Sequence, residues 1–184
     1  MTSVKSVSLV GHSLLPHNIG PVHGASVRVF RSPGARASNF ENNSILSQVL
    51  NWRHDFTILF LGGNDINDDC VPSKITNDIV TVVEQIHTHC NSDIALVLIE
   101  HRNPPPNNRF NVTATNYNKI ANRINNNLKK KYKSNSHVRF LSVGAKPFQF
   151  GVTDGVHFND ETKAHLKAKF RNAIQYFIDQ TRIQ

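Results

Sequence analysis

Two cysteines, Cys70 and Cys90, are all that the 184 residues contain. That is too few for a disulfide framework, and a chain of this length buries a core large enough not to need one. Reduced thiols are expected. No apolar run approaches the length that crosses a bilayer. The opening segment, Met1 to Lys5, lacks the apolar stretch and small-residue cleavage site of a secretory leader. The expectation is either an intracellular, cytoplasmic protein or a domain excised from a longer chain. The sequons at Asn42 and Asn111 would matter only in the secretory pathway and are expected to carry no sugar. Internal repeats, low-complexity linkers and domain boundaries are also missing, so one domain spanning 1–184 with one active centre is expected. Asn103-Pro104-Pro105-Pro106-Asn107 reads as a stiff surface loop.

Acidic side chains are scarce: 13 Asp and Glu stand against 21 Lys and Arg, a formal net charge of +8. Such a surface attracts polyanions, whether nucleic acid, an anionic leaflet or an acidic substrate. The cations gather in Lys129-Lys130-Lys131 with Lys133, and in the C-terminal segment bearing Lys163, Lys167, Lys169 and Arg171. A basic balance is equally compatible with solubility alone.

What the chain does have is a regular alternation of apolar patterns. Strand-like runs cover Val7 to Val10, Ser26 to Phe30, Phe56 to Leu61, Ile94 to Ile99 and Val138 to Val143. Helical spacing marks Ile45 to Leu50, Ile75 to Ile86 entered through Pro72, Tyr117 to Leu128, and Leu166 to Ile178 capped by Asn159 or Asp160. The third and fourth runs are almost continuously apolar, as strands covered on both faces must be. The expected architecture is a three-layer α/β/α sandwich with a five-stranded parallel sheet and flavodoxin-like winding, whose ligands bind beyond the carboxyl ends of the strands.

Those ends carry the polar residues. Gly11-His12-Ser13 follows the first strand, Ser32-Pro33-Gly34-Ala35 the second and Gly62-Gly63-Asn64-Asp65 the third, and Asp154-Gly155-Val156-His157 precedes the last helix. A serine becomes a nucleophile when an imidazole removes its proton, and the imidazole needs a carboxylate to hold its tautomer. A tetrahedral intermediate then needs fixed hydrogen-bond donors.

The order GxS, isolated glycine, GxND, DxxH resembles the SGNH (GDSL-like) hydrolase family over positions 11 to 157. The resemblance implies Ser13 as nucleophile, His157 as general base, Asp154 as its orienting acid, and an oxyanion hole from the N–H groups of Ser13 and Gly34 and the side-chain amide of Asn64. No cofactor is expected. The sequence departs from the pattern at His12, where most members carry a structural aspartate, so the hydrogen bonding of the nucleophile turn is in question. His12 itself is a poorer base than His157, because adjacent side chains on a sharp turn point apart. Asp65 reads as a structural cap that leaves Asn64 to face the site. His87, His89 and Cys90 lie close in sequence, but i and i+2 on a helix face different ways and no second cluster follows, so a metal is not expected.

Short connections without an inserted cap leave little material for a deep acyl tunnel, which points to acetyl-type or similarly short esters. The histidine variant, compact size and basic charge are also similar to esterase domains in the first open reading frame of LINE-type (non-LTR) retrotransposons, which would imply neighbouring coiled-coil or RNA-binding segments. The alternatives are a stand-alone intracellular esterase, or an acetylhydrolase acting on carbohydrate or lipid. A reading from another class keeps the fold and drops the chemistry: a weak or inactive module that binds nucleic acid or anionic membrane through its basic surface.

Overall fold

The computed structural model describes residues 4–102, 112–144 and 157–182. Strands β1 (Lys5–Gly11), β2 (Ala25–Arg31), β3 (Phe56–Phe60), β4 (Asp93–Val97) and β5 (Val138–Leu141) form one sheet in the order β2-β1-β3-β4-β5. Every pairing is parallel, so the carboxyl ends of all five strands lie along one rim.

Helices α1 (Ser44–Leu50), α2 (Pro72–Cys90), α3 (Ala114–Lys131) and α4 (Asp160–Arg182) complete the fold. Each begins where its local chemistry dictates. Asn43 accepts from the N–H of Ile45, and Thr113 from that of Asn116. Pro72 occupies the first turn of α2, where no N–H is needed. Asn159 caps α4 by accepting from Thr162 N–H at 2.9 Å, so of the two residues expected there the asparagine does so. Because alternate residues of each strand face opposite sides, the apolar runs feed two cores. Val10, Leu59 and Leu96 pack under α1, α2 and α3. Leu9, Ile58 and Val97 pack under α4, together with Leu15 and Ile19 from the connection after β1.

One polar row crosses the first core. Ser8 and Thr57 share a hydrogen bond at 2.9 Å, and Thr57 and Ser92 one at 3.0 Å, all three with no solvent exposure. The hydroxyls satisfy one another, which is what permits them inside an apolar layer.

Strands β3, β4 and β5 end earlier than their apolar runs. Ile99 remains buried, yet its peptide groups leave the ladder for the side chain of Asn125, whose Oδ1 accepts from Ile99 N–H at 3.0 Å and whose Nδ2 donates to Ile99 O at 2.9 Å. Val143 is likewise buried, and its N–H is taken by Glu100 at 2.7 Å. An apolar pattern registers burial, and these residues are buried without being paired.

Replacing Asn125 with alanine strands both peptide groups of Ile99 in the core. The expected loss is about 2–5 kcal/mol of unfolding free energy in urea titrations. A loss below about 0.5 kcal/mol would mean that Ile99 finds other partners.

Candidate active site

The rim at the carboxyl ends of the strands is built by four loops that hold one another through side chain to backbone bonds. The chain leaves β1 through Gly11, where a Cβ would collide with the carbonyl oxygen of Phe60. That same oxygen accepts from His12 N–H at 3.3 Å. Leu15 N–H returns to His12 O at 3.0 Å, closing the turn on which Ser13 sits half-buried. The carbonyl of Ser13 is gripped from the neighbouring strand by Arg31, whose Nη2 donates at 2.8 Å.

His12 points inward and is 2% exposed. Its ring packs on Phe60 with centroids 4.8 Å apart, and its Nδ1 accepts from Leu14 N–H at 3.3 Å. The imidazole therefore braces the turn as an uncharged acceptor. Burial, then the nearby charges of Arg102, His157 and Arg31, push its pKa down from 6.5 to about 3, so it is neutral above that value and cannot serve as a base of ordinary strength.

After β2, Ala35 N–H closes a turn on Ser32 O at 3.0 Å, with Pro33 and Gly34 at its corners. Gly34 has φ of 75°, the left-handed value that a Pro-Gly turn of this kind needs at its second corner. Space around it is open, so the backbone conformation, rather than crowding, calls for glycine here.

After β3, Asn64 and Asp65 reach across to this second loop. Asn64 Nδ2 donates to Ala35 O at 3.0 Å, while buried Asp65 accepts from Ala37 N–H at 2.8 Å and Ser38 N–H at 3.0 Å. Asp65 is thus structural, as expected, but it braces a neighbouring loop instead of capping its own turn. On the far side Arg102 donates through Nη2 to Gly63 O at 3.2 Å and lies over the Tyr117 ring at 4.0 Å. The backbone of Arg102 is itself held by Asn118 through bonds of 2.7 and 3.0 Å.

Ser13, Gly34, Asn64 and His157 all line one open cleft of about 760 Å³, which Arg36 and Arg102 also border. Around it three donors are left over. The N–H groups of Ser13 and Gly34 have no acceptor among the described residues, and the Asn64 amide uses one of its two hydrogens on Ala35. The Ser13 hydroxyl has no hydrogen bond among the described residues either, so its contact with His157 is not closed in this conformation. Such contacts are often long before substrate binds. Asp154 lies outside the described residues. Among the described residues, Val143 after β5 gives its N–H to Glu100 and accepts at its carbonyl oxygen from His165 at 2.9 Å.

Arg31 and Arg102 were not singled out by sequence reasoning. Each acts on a backbone carbonyl 18 or 39 residues away, and no local pattern announces such a pairing. No group of three or more His, Cys, Asp or Glu residues suited to a metal occurs among the described residues. His87 instead stacks on His137 with ring centroids 3.5 Å apart. Nor is any described helix long and apolar enough to cross a membrane.

The model of the family described as GDSL-like Lipase/Acylhydrolase matches residues 7–170. No curated protein sequence matches the chain. Among solved structures, the carbohydrate acetylesterase Est24 from Sinorhizobium meliloti is similar at 16% identity and a TM-score of 0.71, covering 94% of this chain and 99% of that one. The native aryl esterase of M. smegmatis gives the same identity, score and coverages. A carbohydrate esterase family 3 structure from Talaromyces cellulolyticus is 15% identical with a TM-score of 0.69, covering 96% of this chain and 99% of that one. At these identities the likeness is one of fold.

The depressed His12 pKa has a thermodynamic sign. Below 6.5 the unfolded chain takes up a proton on this ring that the folded chain refuses until about pH 3, so acidification removes stability across that window. Relative to His12→Asn, the wild type is expected to lose about 1.4 kcal/mol per pH unit between those limits. Parallel urea titrations of the two proteins measure the difference, and parallel acid limbs would show that His12 protonates in the fold.

Proposed function

As a member of the GDSL-like lipase/acylhydrolase family, this chain is a carboxylic ester hydrolase, and we propose that it cleaves short acyl esters of the acetyl type through an acyl-Ser13 intermediate. The observation that carries the proposal is the set of three donors, from Ser13, Gly34 and Asn64, left unclaimed among the described residues and bordering one cleft with the Ser13 hydroxyl and His157. Ser13 and Asn64 are half-buried, where donors are normally satisfied, while Gly34 presents its N–H from an exposed turn. Donors left open beside a hydroxyl suit an oxygen that becomes negative during reaction.

In this reading Ser13 Oγ attacks the ester carbonyl while His157 takes its proton, with Asp154 holding the imidazole and balancing its charge. The tetrahedral oxygen is bound by Ser13 N–H, Gly34 N–H and Asn64 Nδ2. His157 returns the proton to the departing alkoxide, and water then releases the acid by the same steps in reverse order. Arg31 and Asp65 serve as positioning residues, since one fixes the nucleophile's carbonyl and the other fixes the Gly34 loop against Asn64.

The preference for short acyl groups is supported by the open cleft. Est24, a carbohydrate acetylesterase, and the aryl esterase share the fold, and esters of sugars or phenols are the substrates to try first. The similarity to retrotransposon esterase domains rests on His12, size and basic charge alone. The bracing role of His12 favours a working site over a decayed binding module, because the turn keeps its hydrogen bonding without the family aspartate.

Treatment with a fluorophosphonate probe followed by mass spectrometry is expected to place the adduct on Ser13. Ser13→Ala should lower turnover of p-nitrophenyl acetate by at least about 10³-fold with unchanged thermal melting. Asn64→Ala should lower kcat by about 10²–10³. An adduct elsewhere, or none, removes Ser13 from its role, and faster turnover of long-chain than of acetyl esters removes the short-acyl assignment.

A further inference from the structure

The two faces of the sheet are covered unequally. Among the described helices three pack on one face and only α4 on the other. Toward the edge strand β5 this leaves a groove of about 340 Å³ between strand and helix. Its floor is apolar, formed by residues such as Phe56, Leu141 and Phe177. Its rim is polar. Lys169, Asn172 and Tyr176 succeed one another at helical spacing along the side of α4 that borders the groove. Arg139 faces them from β5, paired in register with Ala95 of the core beneath α4.

Tyr176 is 56% exposed, one of three large apolar side chains so placed among the described residues. The guanidinium carbon of Arg139 stands 5.4 Å from its ring centroid. No described residue lining the groove is acidic. The next carboxylate along α4, Asp179, accepts from Gln175 Nε2 at 3.0 Å.

These groups discriminate among polyanions. An anionic membrane would call for a cluster of exposed aliphatic side chains, and the other two exposed ones, Val4 and Val71, lie at the start of β1 and before α2. An acidic peptide would use the two cations but has no need of a planar ring, an amide and an apolar slot together. A single nucleic-acid strand uses all of them: the base stacks on the aromatic face or enters the slot, the amide reads its edge, and the phosphates meet Lys169 and Arg139. A duplex keeps its bases stacked and offers none to the slot. The net charge of +8 supplies the long-range attraction that brings such a strand to the surface.

We propose that the groove between α4 and β5 binds single-stranded nucleic acid, with one base held against Tyr176 and the adjoining phosphates held by Lys169 and Arg139. The site is separate from the ester-hydrolysing cleft, and the proposal stands or falls without it.

The test is fluorescence anisotropy with a labelled twelve-residue oligo-dT, the corresponding duplex and polyglutamate of equal charge, over a range of salt. Saturable binding of the single strand is expected at low salt, with the duplex and polyglutamate at least about tenfold weaker. Tyr176→Ala is expected to weaken the single strand by about tenfold. Lys169→Ala should reduce the slope of log K against log salt by about 0.7. Both side chains are at the surface of the groove, so thermal melting and p-nitrophenyl acetate turnover should match the wild type. The proposal is overturned if oligo-dT does not bind, or if polyglutamate binds as tightly with the same dependence on Tyr176. It is equally overturned if Lys130→Glu with Lys131→Glu abolishes binding while Tyr176→Ala and Lys169→Ala leave it intact.

Discussion

A chain that leaves a parallel sheet loses its ladder partners all at once, and the peptide groups it carries must find others before they can be kept from water. In this protein they are found across loops. Arg31 takes the carbonyl of Ser13, Asn64 that of Ala35, Arg102 that of Gly63, and Asp65 and Glu100 collect N–H groups from Ala37, Ser38 and Val143. Each of these bonds joins two different strand ends, so the rim behaves as one mesh. The site depends on that mesh because it decides, by exhaustion, which donors stay open.

The same logic explains why a histidine is tolerated beside the nucleophile. A charged ring there would sit between two arginines in a desolvated pocket, and the fold resolves the conflict by keeping the imidazole neutral. Neutrality turns the ring into an acceptor for Leu14 N–H, which is the service the turn requires. Gly11 contributes by subtraction, since only the absence of a side chain lets the Phe60 carbonyl come close enough to receive the His12 N–H.

Much of this was legible in the sequence. Apolar runs located all five strands and four helices, because burial on both faces leaves an unmistakable composition in a parallel sheet. The polar loops at the strand ends, through the family resemblance they carry, pointed to Ser13, Gly34, Asn64, Asp154 and His157; the structure brings four of them to one cleft, and Asp154 lies outside the described residues. Strand ends were overestimated at Ile99 and Val143, where Asn125 and Glu100 substitute for a neighbouring strand. Arg31 and Arg102 were invisible for the reason that makes them effective. Their partners are backbone atoms far along the chain, and any residue type offers a carbonyl. Asp65 was recognised as structural, but the loop it serves could be identified only in three dimensions.

The hydroxyl row through Ser8, Thr57 and Ser92 ties β1 and β3 to the residue that leads into β4, three places distant in the chain. Its direction is set at one end, where Ser92 Oγ donates to Asp93 O at 3.2 Å, so Thr57 donates to Ser92 and Ser8 to Thr57. Drift at any one of these positions toward an aliphatic residue leaves a neighbour with an unmet polar atom, whereas an all-apolar trio of matching volume does not. The three sites are therefore energetically coupled, and the costs of replacing them singly do not add.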